Sequence, residues 1–293
     1  MDGADGRPHR LAAQGQHRED AQRNRREGSD VSIDVAVIPA AGRGTRMRPA
    51  TRVVPKALLT VVDRPAVQYA VEEAARAGAK EAVVVVDADA GNLVAQHFSL
   101  GGGLPGLEDI QIRTIVQEEA LGLGDAVREA AHMVGDRPFF CLLVDNIVRP
   151  GHDVLPSLGS GSRDGAVSVM CLRELTDEFL SRYGVVIPDS DVVDGYLDLA
   201  GAVEKPGVEA APSRFGLVGR YLFTPEVFSI LEQTSPGVGG EIQLTDAIQE
   251  LGERGQLRGY VAGESLLDVG TPEGLLRASY ELGLDRYGPE LFE

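Results

Sequence analysis

An apolar run, Val35 to Ile38, empties directly into a loop holding Gly42, Gly44 and Arg46, and past bends at Pro49 and Pro55 the loop reaches Lys56. Such a run followed by glycines reads as a buried strand that ends at a sheet edge. Glycines bring backbone N–H groups close to phosphate oxygens without an intervening Cβ, while Arg46 and Lys56 add a delocalised and a point positive charge. The segment Val35 to Leu59 therefore constrains the chain to an α/β fold in which a strand delivers a phosphate-handling loop, sized in charge for a triphosphate.

Two commoner glycine loops fail on spacing. A dinucleotide fingerprint needs G-x-G-x-x-G at the mouth of a helix, but Met47 stands at the third glycine position and Pro49 interrupts the helix that should follow. A P-loop counted from Gly42 also places Met47 where its second glycine belongs. A lone G-x-G is often only a turn with solvated arginines. The following Arg46, the two proline bends and Lys56 at the second bend argue for a site.

The chain's charge sharpens that contrast. With 28 basic and 45 acidic residues, its formal charge of −17 repels nucleic-acid backbones and anionic membrane surfaces. Against that background Arg43, Arg46, Arg48, Arg52 and Lys56 gather positive charge locally for a small anion. At 293 residues and 43% hydrophobic content, the chain can bury a full core. Its two cysteines, Cys141 and Cys171, sit in apolar runs as small core hydrophobes, with no disulfide or metal-thiolate spacing. No apolar stretch approaches the ~18 residues of a membrane span, and the N-terminus lacks a signal-peptide pattern, so a cytoplasmic location is expected. Residues 1–31 read as a disordered tail, because over residues 1–30 Leu11 is the only large aliphatic after Met1 and arginines balance acids.

From Ser32 onward strands and helices alternate. Strands are expected at Val35 to Ile38, Ala82 to Val86, Ile110 to Val116 and Phe139 to Val144. Helices are expected at Ala66 to Ala77, Leu93 to Phe98 and Gly124 to Met133, with a flexible loop at Gly101 to Gly106. This βαβα rhythm predicts a parallel sheet with ligands at the carboxyl ends of its strands, where Arg46, Gln117 and Asp145 all fall. The second half reads as strands at Ala166 to Leu172 and Gly184 to Ile187, a turn-bounded strand pair at Gly195 to Ala202, and another at Gly216 to Phe223. Helices follow at Pro225 to Leu231, Leu244 to Leu251 and Gly274 to Leu282. These last helices are expected to serve packing or a subunit contact.

Three ordered segments then carry a resemblance: G-x-G-T-R-M-x-P from Gly42, P-K-x-L from Pro55, and D-x-P-x-x-Q-Y through Asp63, Pro65, Gln68 and Tyr69. Together they resemble the sugar-1-phosphate nucleotidyltransferases, most closely the bacterial UTP:glucose-1-phosphate uridylyltransferases. Further matches follow in order: Gln117 with Gly122, Val144 to Asn146, Tyr183 to Val186, Val203 to Pro206, Val218 to Tyr221, Glu241 to Asp246, and Asp268 to Gly270. The resemblance thus spans most of the chain.

It implies a Rossmann-like, glycosyltransferase A-like α/β fold: a mixed, mainly parallel sheet flanked by helices, a β-rich sugar-binding half and C-terminal helices. A catalytic domain over 32–260 would divide into a nucleotide half (32–150) and a sugar half (151–260), with a metal-ligand segment and helices over 261–293. Arg46 and Lys56 would be catalytic. Ala40, Ala41, Gly42, Gly44, Thr45, Gln117 and Gly122 would bind nucleotide, and Tyr183, Gly184, Glu204, Lys205 and Gly219 the sugar phosphate. Asp145 and Asp268 would hold Mg²⁺, which accepts carboxylates plus substrate phosphates. Gln117 carries both an acceptor and a donor for the imide edge of a pyrimidine. UTP and glucose 1-phosphate are the implied substrates, with a homo-oligomer, dimer or tetramer, as the assembly. Departures from the pattern at Arg52, Ala57-Leu58, Glu118 and Gly240, and a thymidylyltransferase-like Asp145-Asn146, keep dTTP or another sugar open as an alternative. A catalytically silent sensor subunit predicts loss of Arg46, Lys56 or the aspartates, and none is lost.

Overall fold

The computed structural model describes residues 32–88, 90–100, 103–163, 165–263 and 266–291. The expected tail over 1–31 lies outside the described residues, as do positions 101 and 102 of the expected loop. The apolar run forms β1 (Val35–Pro39), and every one of its residues is buried, as a strand without polar alternation requires. Three single 3₁₀ turns (Thr45–Met47, Ala50–Arg52 and Lys56–Leu58) carry the cationic loop to a small hairpin of β2 (Thr60–Val61) and β3 (Arg64–Pro65). Helix α1 (Ala66–Arg76) follows, burying Val67, Ala70, Val71 and Ala74 at helical spacing. Then come β4 (Glu81–Val86), α2 (Gly91–Ser99), β5 (Gln111–Val116), α3 (Leu123–Glu129), α4 (Ala131–Val134) and β6 (Phe139–Leu142).

The rest of the chain supplies β7 (Asn146–Val148), α5 (Leu155–Gly161), β8 (Ser168–Glu174), β9 (Val185–Pro188), β10 (Tyr196–Val203) and α6 (Gly207–Ala210). It ends with β11 (Phe215–Phe223), α7 (Glu226–Gln233), α8 (Leu244–Glu253), β12 (Leu257–Val261), β13 (Leu266–Asp268) and α9 (Pro272–Tyr287). The last helix is started by Thr271, whose Oγ1 accepts a 3.1 Å hydrogen bond from the Gly274 N–H, with Pro272 in its first turn.

Nine strands form one sheet in the order β5-β4-β1-β6-β11-β8-β12-β10-β9. The pairings set β1, β4, β5, β6, β8, β9 and β12 in one direction and β10 and β11 in the other, so the sheet is mixed and mainly parallel. Order reverses at β1: the chain first builds outward through β4 and β5, then returns to place β6 on the other side of β1. Such a switch point opens a crevice at the carboxyl ends of the strands. The core spans both halves of the sheet, and Phe139 of β6 stacks on Phe228 of α7 with ring centroids 4.9 Å apart.

Several elements differ from the sequence expectation. The segment expected as a strand pair at Gly195 to Ala202 is one strand, β10, preceded by a tight turn closed by a Val193–Tyr196 bridge, and the pair expected at Gly216 to Phe223 is likewise one strand, β11, whose buried residues run on without a turn. The helix expected from Gly124 to Met133 is broken at Ala130. Strand β6 stops at Leu142 rather than Val144, because the Leu143 N–H turns to donate to the Gly219 carbonyl at 2.9 Å. Strands β7, β12 and β13 and helix α5 were not anticipated; each is short, and none has a long periodic run to announce it.

Candidate active site

The carboxyl ends of β1, β5 and β6 meet at a cavity of about 540 Å³. Into it come Ala40, Ala41, Gly42, Gly44, Thr45 and Arg46 from the loop after β1, Lys56 from the third 3₁₀ turn, Gln117 and Gly122 from beyond β5, and Asp145 from beyond β6. Gly44 adopts a left-handed φ of +57°, and its carbonyl accepts a 2.7 Å hydrogen bond from the Thr51 hydroxyl, which folds the loop back on itself. A second cavity, of about 1230 Å³, holds Tyr183, Gly184, Glu204, Lys205, Gly219 and Asp268. Thr45, Arg46 and Asp145 line both, so the expected nucleotide and sugar sites adjoin at the cationic loop.

Asp145 is the hub. Its Oδ2 accepts a 2.7 Å hydrogen bond from Lys56 Nζ, and Arg46 Nη2 stands 3.8 Å from the same oxygen. Burial works against the Asp145 charge, but Lys56, by charge and hydrogen bond, and Arg46 outweigh it and hold the carboxyl below the usual carboxylate range. Asn146 Nδ2 donates to the other oxygen at 3.2 Å.

Asp268 arrives from far along the chain by strand pairing. In the antiparallel ladder of β13 with β7, Asp268 stands opposite Asn146, and the Val269 N–H donates to the Asp145 carbonyl at 2.7 Å. Its Oδ1 accepts from the Gly270 N–H at 2.7 Å and its Oδ2 from the Tyr183 hydroxyl at 2.8 Å. Burial first, and then the Asp268 charge, push the Tyr183 hydroxyl above the ordinary tyrosine range. A Cβ built on Gly270 would lie 3.0 Å from Asp268 Oδ1 and 3.3 Å from Asp145 Oδ2. The two carboxylates are thus separated by no more than the sum of those distances. They face a space that a glycine keeps open and that Arg46 Nη2 shares, 3.3 Å from the same point. Two carboxylates there are the donor type that a hard divalent cation takes, completed by substrate phosphates and water.

A buried ion pair holds this arrangement from behind. Arg220 of β11, 0% exposed, pairs with Glu73 of α1 at 2.9 Å and also donates to the carbonyls of Leu143, Gly219 and Asn146. The turn that presents Asp145 is therefore clamped on both sides. Gly219 makes room for that turn: at φ +72°, a Cβ there would fall 2.8 Å from Asn146 Nδ2 and 3.0 Å from Leu143 Cβ.

Among the expected sugar-site residues, Glu204 accepts a 2.6 Å hydrogen bond from the Thr245 hydroxyl and lies 2.6 Å from Lys205 Nζ. Lys205 sits in a left-handed conformation, φ +45°, with its side chain half exposed. The structure couples the Tyr183 hydroxyl to Asp268, and the backbone at Gly219 packs on Leu143 and Asn146. At the other end, Gln117 is 6% exposed and its amide donates to the Gly122 carbonyl at 3.1 Å and to Asp125 Oδ2 at 2.6 Å. Of the donor–acceptor pair expected of Gln117 the donor is taken up by these two contacts, and among the described residues no donor meets its carbonyl oxygen.

Sequence reasoning passed over Thr245, Asn146, Asp125, Arg220 and Glu73 as working residues. Thr245, Asn146 and Arg220 lie within matched segments, so their neighbours signalled them. Glu73 gave no signal, because an acid within an amphipathic helix ordinarily faces water.

A nucleotidyl transferase family model matches residues 35–283, and the chain belongs to that family. It is 36% identical over 266 residues to a UTP–glucose-1-phosphate uridylyltransferase of Bacillus subtilis (strain 168), covering 85% of this chain and 90% of that protein. Among solved structures it is similar to a UDP-glucose pyrophosphorylase complexed with UDP-glucose, with a TM-score of 0.80, 32% identity, 87% of this chain covered and 100% of that one. A UTP-bound UGPase from Acinetobacter baumannii matches with a TM-score of 0.76 and 31% identity, over 88% of this chain and 97% of the other.

Proposed function

We propose that this chain transfers a uridylyl group from UTP to glucose 1-phosphate, releasing pyrophosphate and forming UDP-glucose. The observation that carries this reading is the placement of Arg46, Lys56 and Asp145 where a base-reading cavity adjoins a larger polar one. It is supported by the uridylyltransferase and UDP-glucose pyrophosphorylase relatives.

Attack of a sugar phosphate oxygen on the α-phosphorus brings two anions together and expels a third. The protein must screen repulsion and stabilise a crowded, charged transition state. Cations serve this better than a base, since the attacking oxygen is already deprotonated near neutral pH. Accordingly no histidine lines either cavity among the described residues. Backbone N–H groups of the Gly42 to Thr45 loop hold the triphosphate. Arg46 bridges its oxygens with a fork-shaped guanidinium, and Lys56 brings a point charge to the reacting phosphates. Asp145 orients both cations before substrate arrives. Asp145 and Asp268 would hold Mg²⁺, which when bound supplies charge neutralisation and a template for the phosphates. Glu204, aligned by Thr245, accepts sugar hydroxyls, and Lys205 holds the sugar phosphate.

No helix among the described residues is long and apolar enough to cross a membrane. The reading places the enzyme in the cytoplasm, as a homo-oligomer. A pyrophosphate-release assay over UTP, dTTP, CTP, ATP and GTP, against glucose, galactose and N-acetylglucosamine 1-phosphates, tests the assignment. UTP with glucose 1-phosphate should be fastest and dTTP second, because the two bases share an imide edge. Faster turnover of ATP or GTP than of either pyrimidine would sink the reading.

A further inference from the structure

Gln117 is a buried amide whose two donor positions are both taken: by the Gly122 carbonyl at 3.1 Å and by Asp125 Oδ2 at 2.6 Å. Turning the amide over would set its oxygen against a carbonyl and a carboxylate, so the surroundings dictate its orientation. Asp125 is itself 2% exposed and is held by Arg128, which donates to its other oxygen. Gly122 is fixed in turn. Its φ of +105° admits no ordinary side chain, and a Cβ would meet Glu241 Cβ at 2.8 Å and the Ile242 carbonyl at 2.9 Å. The segment around it is zipped to Ile242 by hydrogen bonds from the Gly124 N–H at 2.9 Å and from the Ile242 N–H to the Leu121 carbonyl at 2.6 Å.

Resting on the uridylyl-transfer reading, we propose that Asp125 is a specificity-setting positioning residue: with Arg128 behind it, Asp125 locks Gln117 as a pure hydrogen-bond acceptor toward the nucleotide base. Gln117 lines the smaller cavity, and its carbonyl oxygen is the one polar atom of its side chain that no described protein donor meets. An acceptor at that point matches the N3–H of uracil or thymine. It opposes the N3 lone pair of cytosine, and a site that leaves two acceptors face to face rejects the wrong base more strongly than one that merely lacks a contact. A free glutamine would not discriminate this way, because rotation of its amide would satisfy either base. The selectivity therefore resides in the carboxylate behind the glutamine as much as in the glutamine.

The test is the ratio of kcat/KM for UTP to that for CTP, measured with glucose 1-phosphate in wild type, Asp125→Asn and Arg128→Gln. Asparagine keeps the size of aspartate but can offer an amide N–H to Gln117, which removes the closer and charged one of the two acceptors opposing the reversed orientation, leaving only the Gly122 carbonyl at 3.1 Å, and so lets a donor be presented to the base. The UTP:CTP ratio should fall by roughly tenfold or more in Asp125→Asn, about the effect of exchanging one buried hydrogen bond for a mismatch. The KM for glucose 1-phosphate should stay within about twofold of wild type, because the change is confined to base reading. Arg128→Gln, at a partly exposed position, loosens the anchor without touching Gln117. It should shift the ratio the same way by a smaller factor, and it serves where Asp125→Asn folds poorly. A ratio unchanged in a folded variant, even with lower total activity, overturns the proposal. A wild-type protein that turns over no UTP overturns the uridylyl-transfer reading, and this proposal with it.

Discussion

Replacing Glu73 with alanine should be among the most destabilising single changes outside the substrate cavities. Glu73 and Arg220 are 1% and 0% exposed, and Glu73 accepts from Arg220 Nε at 2.9 and 3.2 Å. Removing the carboxylate leaves a guanidinium charged and without its counterion in the core, which typically costs about 3–5 kcal/mol. That is a large part of the ~5–15 kcal/mol by which a folded domain exceeds its unfolded state. For a chain of this size each kcal/mol lowers Tm by roughly 2–4 °C, so a fall of about 6–20 °C is expected in a thermal melt, with a matching drop in the urea midpoint. Glu73→Gln, which still accepts one hydrogen bond, should lose about half as much. A double variant, Glu73→Leu with Arg220→Met, removes the buried charges together and should recover much of the stability. Its kcat should stay low, however, because the carbonyls of Leu143, Asn146 and Gly219 lose the donor that clamps the turn presenting Asp145. A loss below about 1 kcal/mol in Glu73→Ala would mean that water reaches Arg220. Full kcat in the double variant would show that the clamp does not position Asp145.

The same geometry bears on three other groups. Arg46→Ala should lower kcat much more than it raises the KM for sugar phosphate, and lysine should rescue only in part because the two-pronged contact is lost; steady-state kinetics with a wild-type-like kcat would remove Arg46 from the mechanism. Asp145→Asn and Asp268→Asn should each raise the Mg²⁺ needed for half activity, and the double variant should be little worse than the worse single; additive losses, or activity that survives EDTA, would show that the two do not share an ion. Burial pushes the Cys171 thiol up to about 12 and the Cys141 thiol further still. Neither should react with a thiol reagent at pH 8 until the protein unfolds, and labelling of the native state at the rate of a free thiol would contradict their burial.

What was legible in the sequence is what short contiguous segments carry. The buried run at Val35, the glycines after it and the cations at Arg46 and Lys56 announce a strand, a close backbone approach and a charge within a stretch of chain that folds locally. The carboxyl-end position of Asp145 was equally readable, because an apolar run such as Phe139 to Val144 has few other ways to be buried than as a strand in a covered sheet. Gln117 follows the mixed segment Gln111–Val116, an edge strand whose residues are only partly buried or exposed, and was placed by the strand–helix rhythm and the matched motif. Register is another matter. Asp268 reaches Asp145 only through a three-residue ladder with β7, and neither Leu266–Asp268 nor Asn146–Val148 is long enough to show a period. Orientation was still less visible: that Gln117 spends its donors inward depends on Asp125 lying two residues into a helix and on Ile242 pinning Gly122 from a distant segment. The division has a physical cause. Residues that touch a phosphate are constrained by its charge and by backbone geometry, so their types and spacing show the constraint. Residues such as Glu73, Arg220 and Asp125 answer to partners brought near only by the completed sheet. Their acidic or basic character alone does not set them apart from solvated surface residues, and only burial reveals what fixes each: Glu73 and Arg220 hold one another, Arg220 also holds the carbonyls of Leu143, Gly219 and Asn146, and Asp125 is held by Arg128 and in turn holds Gln117.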